Sequence, residues 1–386
     1  MGRLPVPTAE LPGLAAAPGE ADLDAGARLH GRAARMAPAL AAAFDADPPD
    51  LVVADTLTVA GGLAAELRGL PWVELVPHPL HLASVALPPP GSGLAPGRGP
   101  LGRARDALLR RMHGRSVRLG RAQRAAARAS LGLPADDPGP ARRLVATLPA
   151  FERDRPDWPD RTDVVGPLHW DPADPDPDPA DPDPTGGDPG GPGSGGPGVA
   201  GSATAGRALP GGEVVAPAGE APLVLVSPST AVDGREGLLA AALAALTPLG
   251  ERGAVRLVAT LLDPPQPGAD LPGWAAVGRG RQAPLLARTR VVVAGGGHGM
   301  LTKALAAGMP LVLVPGGGDQ RDLARRAARL GAAVTVERAA TTRRLAAAVT
   351  QILADPAYAA AARTAARSGD AVADPVRLCV QAVIRE

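Results

Sequence analysis

The sequence predicts an α/β protein of two doubly wound parallel-sheet domains, and three observations predict it. Its 386 residues exceed what one average hydrophobic core organises. Short runs of valine and leucine, the mark of strands buried on both faces of a parallel sheet, alternate with helical patterns rich in Ala, Leu and Arg. Hydrophobic residues make up 45% of the chain but aromatics only 2%, so the cores are built from small aliphatic side chains that let helices lie close to a sheet.

Taken along the chain, the first domain is expected over residues 1–170, with strands at 51–54, 72–75 and 144–148. Residues 1–26 form a Pro- and Ala-rich stretch with no convincing first strand. A nucleotide-binding half usually opens with a βαβ unit of roughly 30 residues or more, so this first domain is expected to be incomplete. Residues 102–129 read as a strongly basic helix. In a chain of net charge +1 a solvated arginine face explains it better than an RNA-binding surface. From 171 to 222 the chain repeats Asp-Pro and then turns Gly-rich, which predicts a disordered linker. The second domain is expected over 223–386, with strands at 223–226, 255–260, 290–293 and 311–314 and helices at 234–246 and 319–330.

Composition also excludes. Near-neutral charge gives no field to draw nucleic acid or an anionic membrane. The single cysteine, Cys379, forms neither an internal disulfide nor a zinc cluster. No stretch reaches the ~18–20 uninterrupted apolar residues of a membrane span, and no signal-like start is present, so a soluble cytoplasmic protein is expected.

The chemistry concentrates between residues 290 and 320. After the strand at 290–293 comes Gly295-Gly296-Gly297-His298-Gly299-Met300, then a helical run ending at Gly308. Glycines permit a tight strand-to-helix turn and let the backbone approach a ligand. The N–H groups of the helix's first turn, at its positive dipole end, favour a diphosphate. A plain βα turn is the alternative. A GxGxxG frame begun at Gly295 meets Met300 where its third glycine belongs, so this is not a dinucleotide fingerprint. Nor is it a P-loop, because Lys303 lies inside the helix. A second strand then runs into Pro315-Gly316-Gly317-Gly318-Asp319-Gln320 and another helix.

GGGHGM at 295–300, ALAAGMPLVLVPGGGDQ at 304–320 and RLGAAV at 329–334 together resemble the donor-binding signature of nucleotide-sugar-dependent glycosyltransferases of GT-B fold. That family includes the UDP-glycosyltransferases and the actinobacterial enzymes that decorate macrolides and other natural products. VADTLTVAGGLAAELRGLPWVEL at 53–75 and VSPST at 226–230 are similar to it as well, so the likeness spans both halves. The resemblance implies two facing Rossmann-like domains, with a nucleotide-sugar donor bound by the second and a small hydrophobic acceptor by the first. Gly296, Gly297, His298 and Gly299 would lie against the diphosphate, with Ser229 and Thr230 opposite. Asp319 and Gln320 would grip sugar hydroxyls, and Asp319 fits an ordinary N-cap equally.

Two positions depart from the family pattern. Gly295 stands where many members carry a phosphate-binding histidine and Met300 where threonine is usual, which leaves His298 to compensate or simply to cap its helix. The base is commonly stacked on a Trp before a Pro-Gln pair. Here the stretch is Gly278-Arg279-Gly280-Arg281-Gln282, so Arg279 or Arg281 would stack in its place, with Gln282 beside it and Trp274 a poorer platform.

Inverting transfer needs a general base for the acceptor hydroxyl. By the resemblance Asp55 matches the carboxylate that orients that base. The family's usual histidine follows a first strand that is not evident here, which leaves His78 and His81 in the PHPLH turn at 77–81, where an ordinary loop role also fits. His30, His113 and His169 have no supporting context. No metal is expected, because no Asp-x-Asp pair sits by the Gly-rich turns. A nucleotide-sugar binder without turnover, or an auxiliary partner of an active enzyme, is the alternative. An epimerase of the same architecture would need donor-side carboxylates beyond Asp319.

Overall fold

A computed structural model describes residues 17, 19–169, 213–228, 237–261 and 271–384. The chain folds as two compact units, 1–168 with 365–386, and 169–364.

The first unit carries a four-stranded parallel sheet in the order β1-β2-β3-β4, formed by Val52–Asp55, Trp72–Val76, Arg142–Val145 and Thr162–Val164. Helix α1 (Ala25–Ala46) starts at Asp24, whose carboxylate accepts from the N–H groups of Gly26 and Ala27, the geometry of an N-cap. α1 packs Ala33, Ala37 and Ala41 against Ala60, Leu63 and Ala64 of α2 (Val59–Leu67). The predicted close approach is visible in α2. A Cβ on Gly61 would stand 2.9 Å from the Ala54 Cβ, and one on Gly62 would stand 3.1 Å from the Trp72 ring. Helix α3 (Gly99–Ser130) is the basic helix read from the sequence.

The second unit carries a six-stranded parallel sheet in the order β10-β9-β8-β5-β6-β7. Its strands are β5 (Leu223–Ser227), β6 (Arg256–Thr260), β7 (Ala275–Gly278), β8 (Thr289–Ala294), β9 (Leu311–Leu313) and β10 (Ala333–Thr335). One face is covered by α4 (Leu238–Glu251) and α8 (Thr341–Ala354), which share a core with Val224, Val226, Val291, Val293 and Val312. Between β7 and β10 lie α5 (Gln282–Leu286), α6 (His298–Ala306) and α7 (Gln320–Arg329).

Two boundaries differ from the sequence reading. Composition extends the linker to 222, yet residues 213–222 pack against the ends of β6 and β7. Glu213 bridges to Arg279, Ala216 is buried, and Arg256 donates to the carbonyls of Pro217 and Ala221. The rest of that stretch, 171–212, lies outside the described residues. The chain also returns to the first unit at its end. After α9 (Pro356–Arg367), helix α10 (Pro375–Val383) sets Leu378 among Val73, Leu144, Ala146 and Val165. The Ser368 hydroxyl, just after α9, accepts from the Ala150 N–H at 3.1 Å. A cut at the Asp/Pro/Gly-rich stretch does not anticipate this. Among the described residues no single helix is long and apolar enough to cross a membrane.

Candidate functional site

The order of the six strands fixes where a ligand fits. From β5 the chain moves outward through β6 to β7, then returns to the other side of β5 as β8 and continues to β9 and β10. Connections therefore leave β5 and β8 in opposite directions, which opens a crevice at their carboxyl ends. Ser227 and Ala294 sit there in register as the last residues of the two strands. Gln282, at the start of α5, lies over the same edge. Its amide donates to the Ser227 hydroxyl at 3.1 Å and to the Thr260 hydroxyl at 3.4 Å. Ser229 and Thr230 fall outside the described residues.

The turn after β8 is shaped by its glycines. Gly295 and Gly296 are buried, and Gly296 takes φ +89°, a left-handed conformation. A Cβ there would stand 3.3 Å from the Gln320 carbonyl oxygen, so the first Gly-rich turn is pressed against the start of α7. Gly297 is the N-cap of α6 and offers no side chain to the helix's first N–H groups. The positive end of such a helix favours an anion. His298 is the half-buried first residue of α6 and Gly299 is exposed beside it. The Thr302 hydroxyl donates to the His298 carbonyl at 2.9 Å and lies 3.1 Å from the His169 Nε2. His169, which had no context in the sequence, thus sits against the first turn of α6.

The second Gly-rich turn separates Asp319 from Gln320. Gly318 takes φ +61°, and Asp319 follows exposed in the helical region, its carboxylate making no capping bond to α7. Asp319 thus stands at the N-cap position without its side chain capping the helix. The resemblance sets Gln320 against a sugar. Instead it is 5% exposed, and its amide oxygen accepts from the Gly316 N–H at 2.9 Å. It braces the PGGG loop from within.

Arg279 follows β7 and is exposed, while its carbonyl accepts from the Val214 N–H. Arg281 is ion-paired with Glu213 at 2.9 Å. Trp274 is no platform. It packs against the core of the second unit, where a Cβ on Gly250 would come within 2.1 Å of its ring.

In the first unit, Asp55 is the last residue of β1, and its carboxylate accepts from the Leu57 N–H at 2.7 Å, closing a local turn. His78 Nδ1 lies 3.0 Å from the Pro79 carbonyl oxygen. A carbonyl only accepts, so Nδ1 carries a proton, and in the neutral ring the lone pair lies on Nε2. The His78 and His81 rings meet edge to face with centroids 5.1 Å apart. The His81 imidazole is held below its ordinary range, first by desolvation, then by the neighbouring His78, with Glu74 pulling upward and Arg143 downward. The family pattern has Asp55 orient a histidine, yet among the described residues no hydrogen bond or ion pair joins it to either ring. Glu74, whose charge raises His81, is ion-paired with Arg143 and accepts from the Thr56 hydroxyl at 3.1 Å. An acid in the middle of the apolar strand Trp-Val-Glu-Leu-Val was the sequence signal for it.

Residues 272–384 match the model of the C-terminal domain of the erythromycin biosynthesis protein CIII-like family. Over 350 residues the chain is 28% identical to the 4'-demethylrebeccamycin synthase of Lentzea aerocolonigenes, covering 86% of this chain and 73% of that protein. Among solved structures it is similar to the glycosyltransferase of kitacinnamycin, with a TM-score of 0.65 and 22% identity over 94% of this chain and 84% of the other. The spinosyn rhamnosyltransferase SpnG is similar too, both in its complex with thymidine diphosphate and in its complex with spinosyn aglycone. Each gives a TM-score of 0.54 and 21% identity, covering 94% of this chain and 83% of SpnG. At these identities the structural matches establish the fold.

Proposed function

We propose that this chain, a GT-B glycosyltransferase of the actinobacterial natural-product family, transfers a sugar from a nucleoside diphosphate to a hydroxyl of a small hydrophobic aglycone, with inversion. The observation that carries the donor half is the meeting of the two Gly-rich turns at Gly296 and Gln320, beside an α6 N-terminus with no side-chain cap. The diphosphate would take the N–H groups of His298, Gly299 and Met300, with Gly297 leading into them. These preorganised dipoles would stabilise the charge that develops on the departing diphosphate. Gln282 would meet the nucleoside end over β5 and β6, and Arg279 has a flat guanidinium for the base. The thymidine diphosphate held by SpnG makes a thymidine nucleotide the first donor to try.

His78 is the better-supported base in the first unit, because its Nε2 lone pair is left free by the bond from Nδ1 to Pro79. In the proposed step the acceptor oxygen attacks the anomeric carbon as the bond to the diphosphate breaks, and the hydroxyl proton passes to Nε2. His81, held below its ordinary range, stays neutral beside it.

Asp319 tests the donor site. Its uncapped, exposed carboxylate is assigned to sugar hydroxyls, so Asp319→Ala should weaken a thymidine diphosphate sugar at least tenfold by calorimetry. Thymidine diphosphate itself should bind within about twofold of wild type. Equal affinity of both proteins for the nucleotide sugar would overturn the assignment. A second reading, a nucleotide-sugar binder without turnover, draws on the carboxylate of Asp55 being bonded to Leu57 and not to a histidine. Release of nucleoside diphosphate in the presence of aglycones, at a rate lowered by His78→Gln, separates the two.

A further inference from the structure

Helix α3 buries part of its charge and turns four large apolar side chains outward. It holds nine arginines and one acid, Asp106. Its inner face is polar. Asp106 is buried and accepts from the Gly97 N–H at 2.7 Å, Arg110 donates to the Leu87 carbonyl, and Arg124 pairs with Asp137. Arg128 is buried against Glu66 and the Pro134 carbonyl. The outer face carries Leu101, Leu108, Met112 and Leu119, which are 87%, 61%, 63% and 54% exposed.

These four residues are spaced by seven, four and seven, so they fall in one line down the helix, roughly 27 Å long at 1.5 Å per residue. Arg105, Arg115, Ala122 and Ala126 complete the alternating steps of three and four along the same line. That is the narrow seam a helix offers to another helix, not the wide apolar face of a helix lying in a bilayer surface. Arg111, Arg115 and Arg118 are exposed on or beside the seam and have no carboxylate partner among the described residues. A second copy of α3 would bring arginine against arginine, since the only acid of the helix is buried on the other side. Opposite charge is what the flank accepts.

We propose that the outer face of α3 docks an amphipathic helix of a partner protein whose flanks are acidic. The probe is a labelled four-heptad peptide with leucine at the two seam positions and glutamate on both flanks, titrated into the full chain by fluorescence anisotropy below the peptide's own self-association. Wild type should bind it saturably. The double variant Leu108→Lys with Met112→Lys should bind at least tenfold more weakly. Arg111→Glu with Arg118→Glu should lose the glutamate peptide and gain a lysine-flanked one. All these side chains are exposed, so melting temperatures should stay near wild type. The proposal is overturned by absence of binding, by binding that the lysine variants leave unchanged, or by flotation with phosphatidylglycerol vesicles in place of peptide binding.

Discussion

Gly296 carries two constraints at once, a left-handed backbone and a neighbour close behind it, the carbonyl of Gln320. An alanine there costs about 1–2 kcal/mol in backbone conformation alone, and the carbonyl must also give way. Gly296→Ala should therefore lower the melting temperature of the second unit by about 2–4 °C for each kcal/mol lost and weaken thymidine diphosphate at least tenfold. Unchanged nucleotide affinity in calorimetry would mean that the turn does not hold the diphosphate. The glycines of this turn were legible because their chemistry is local. The inward turn of Gln320 was not, because its partner, the Gly316 N–H, is set by the path of the loop and not by any residue type. Asp55 illustrates the same limit. Its place at a strand end could be read, whereas its bond to Leu57 depends on how the chain leaves β1.

At the level of elements, Glu20 anchors the long helix α1. The Ala17 N–H is the largest cause of its low pKa, with Arg32 and Arg35 adding to it against desolvation, and the carboxyl titrates at about 2 instead of 4.5. A depressed carboxylate binds fewer protons in the folded state, so its stabilisation is complete above pH 4.5 and is lost as pH falls towards 2. Circular dichroism of the wild type should report a loss of helix through that window. Glu20→Gln should flatten that part of the acid limb and start from lower stability at neutral pH. An acid limb identical in the two proteins would show that other groups govern it. The elements that sequence could not predict are the short ones. β4, β7 and β10 are three or four residues each, Thr-Asp-Val, Ala-Ala-Val-Gly and Ala-Val-Thr, too brief for a periodic signal. β3 begins at Arg142 and not at Leu144, because its two arginines find partners in Asp163 and Glu74 across the sheet.

For the molecule as a whole, the chain's end belongs with its beginning. Leu378 of α10 closes the core formed by Val73, Leu144 and Val165, a burial worth about 1.5–3 kcal/mol for that side chain alone. Ending the chain at Thr364 should strip amide-exchange protection from β2 and β3 while leaving β8 and β9 protected. Equal loss in both sheets, or none in the first, would contradict the division into units.

Short valine runs and glycines at strand ends were enough to specify two parallel sheets and Gly-rich strand-to-helix turns between residues 290 and 320. Those signals act over a few residues, where backbone freedom and side-chain size are decided locally. Tertiary packing alone brought both Gly-rich turns together, paired Glu74 with Arg143 and Thr56, returned residues 365–386 to the first unit, and turned Leu101, Leu108 and Leu119 of α3 outward. Each of these depends on groups far apart in the chain being brought together, and no local pattern records such a partner.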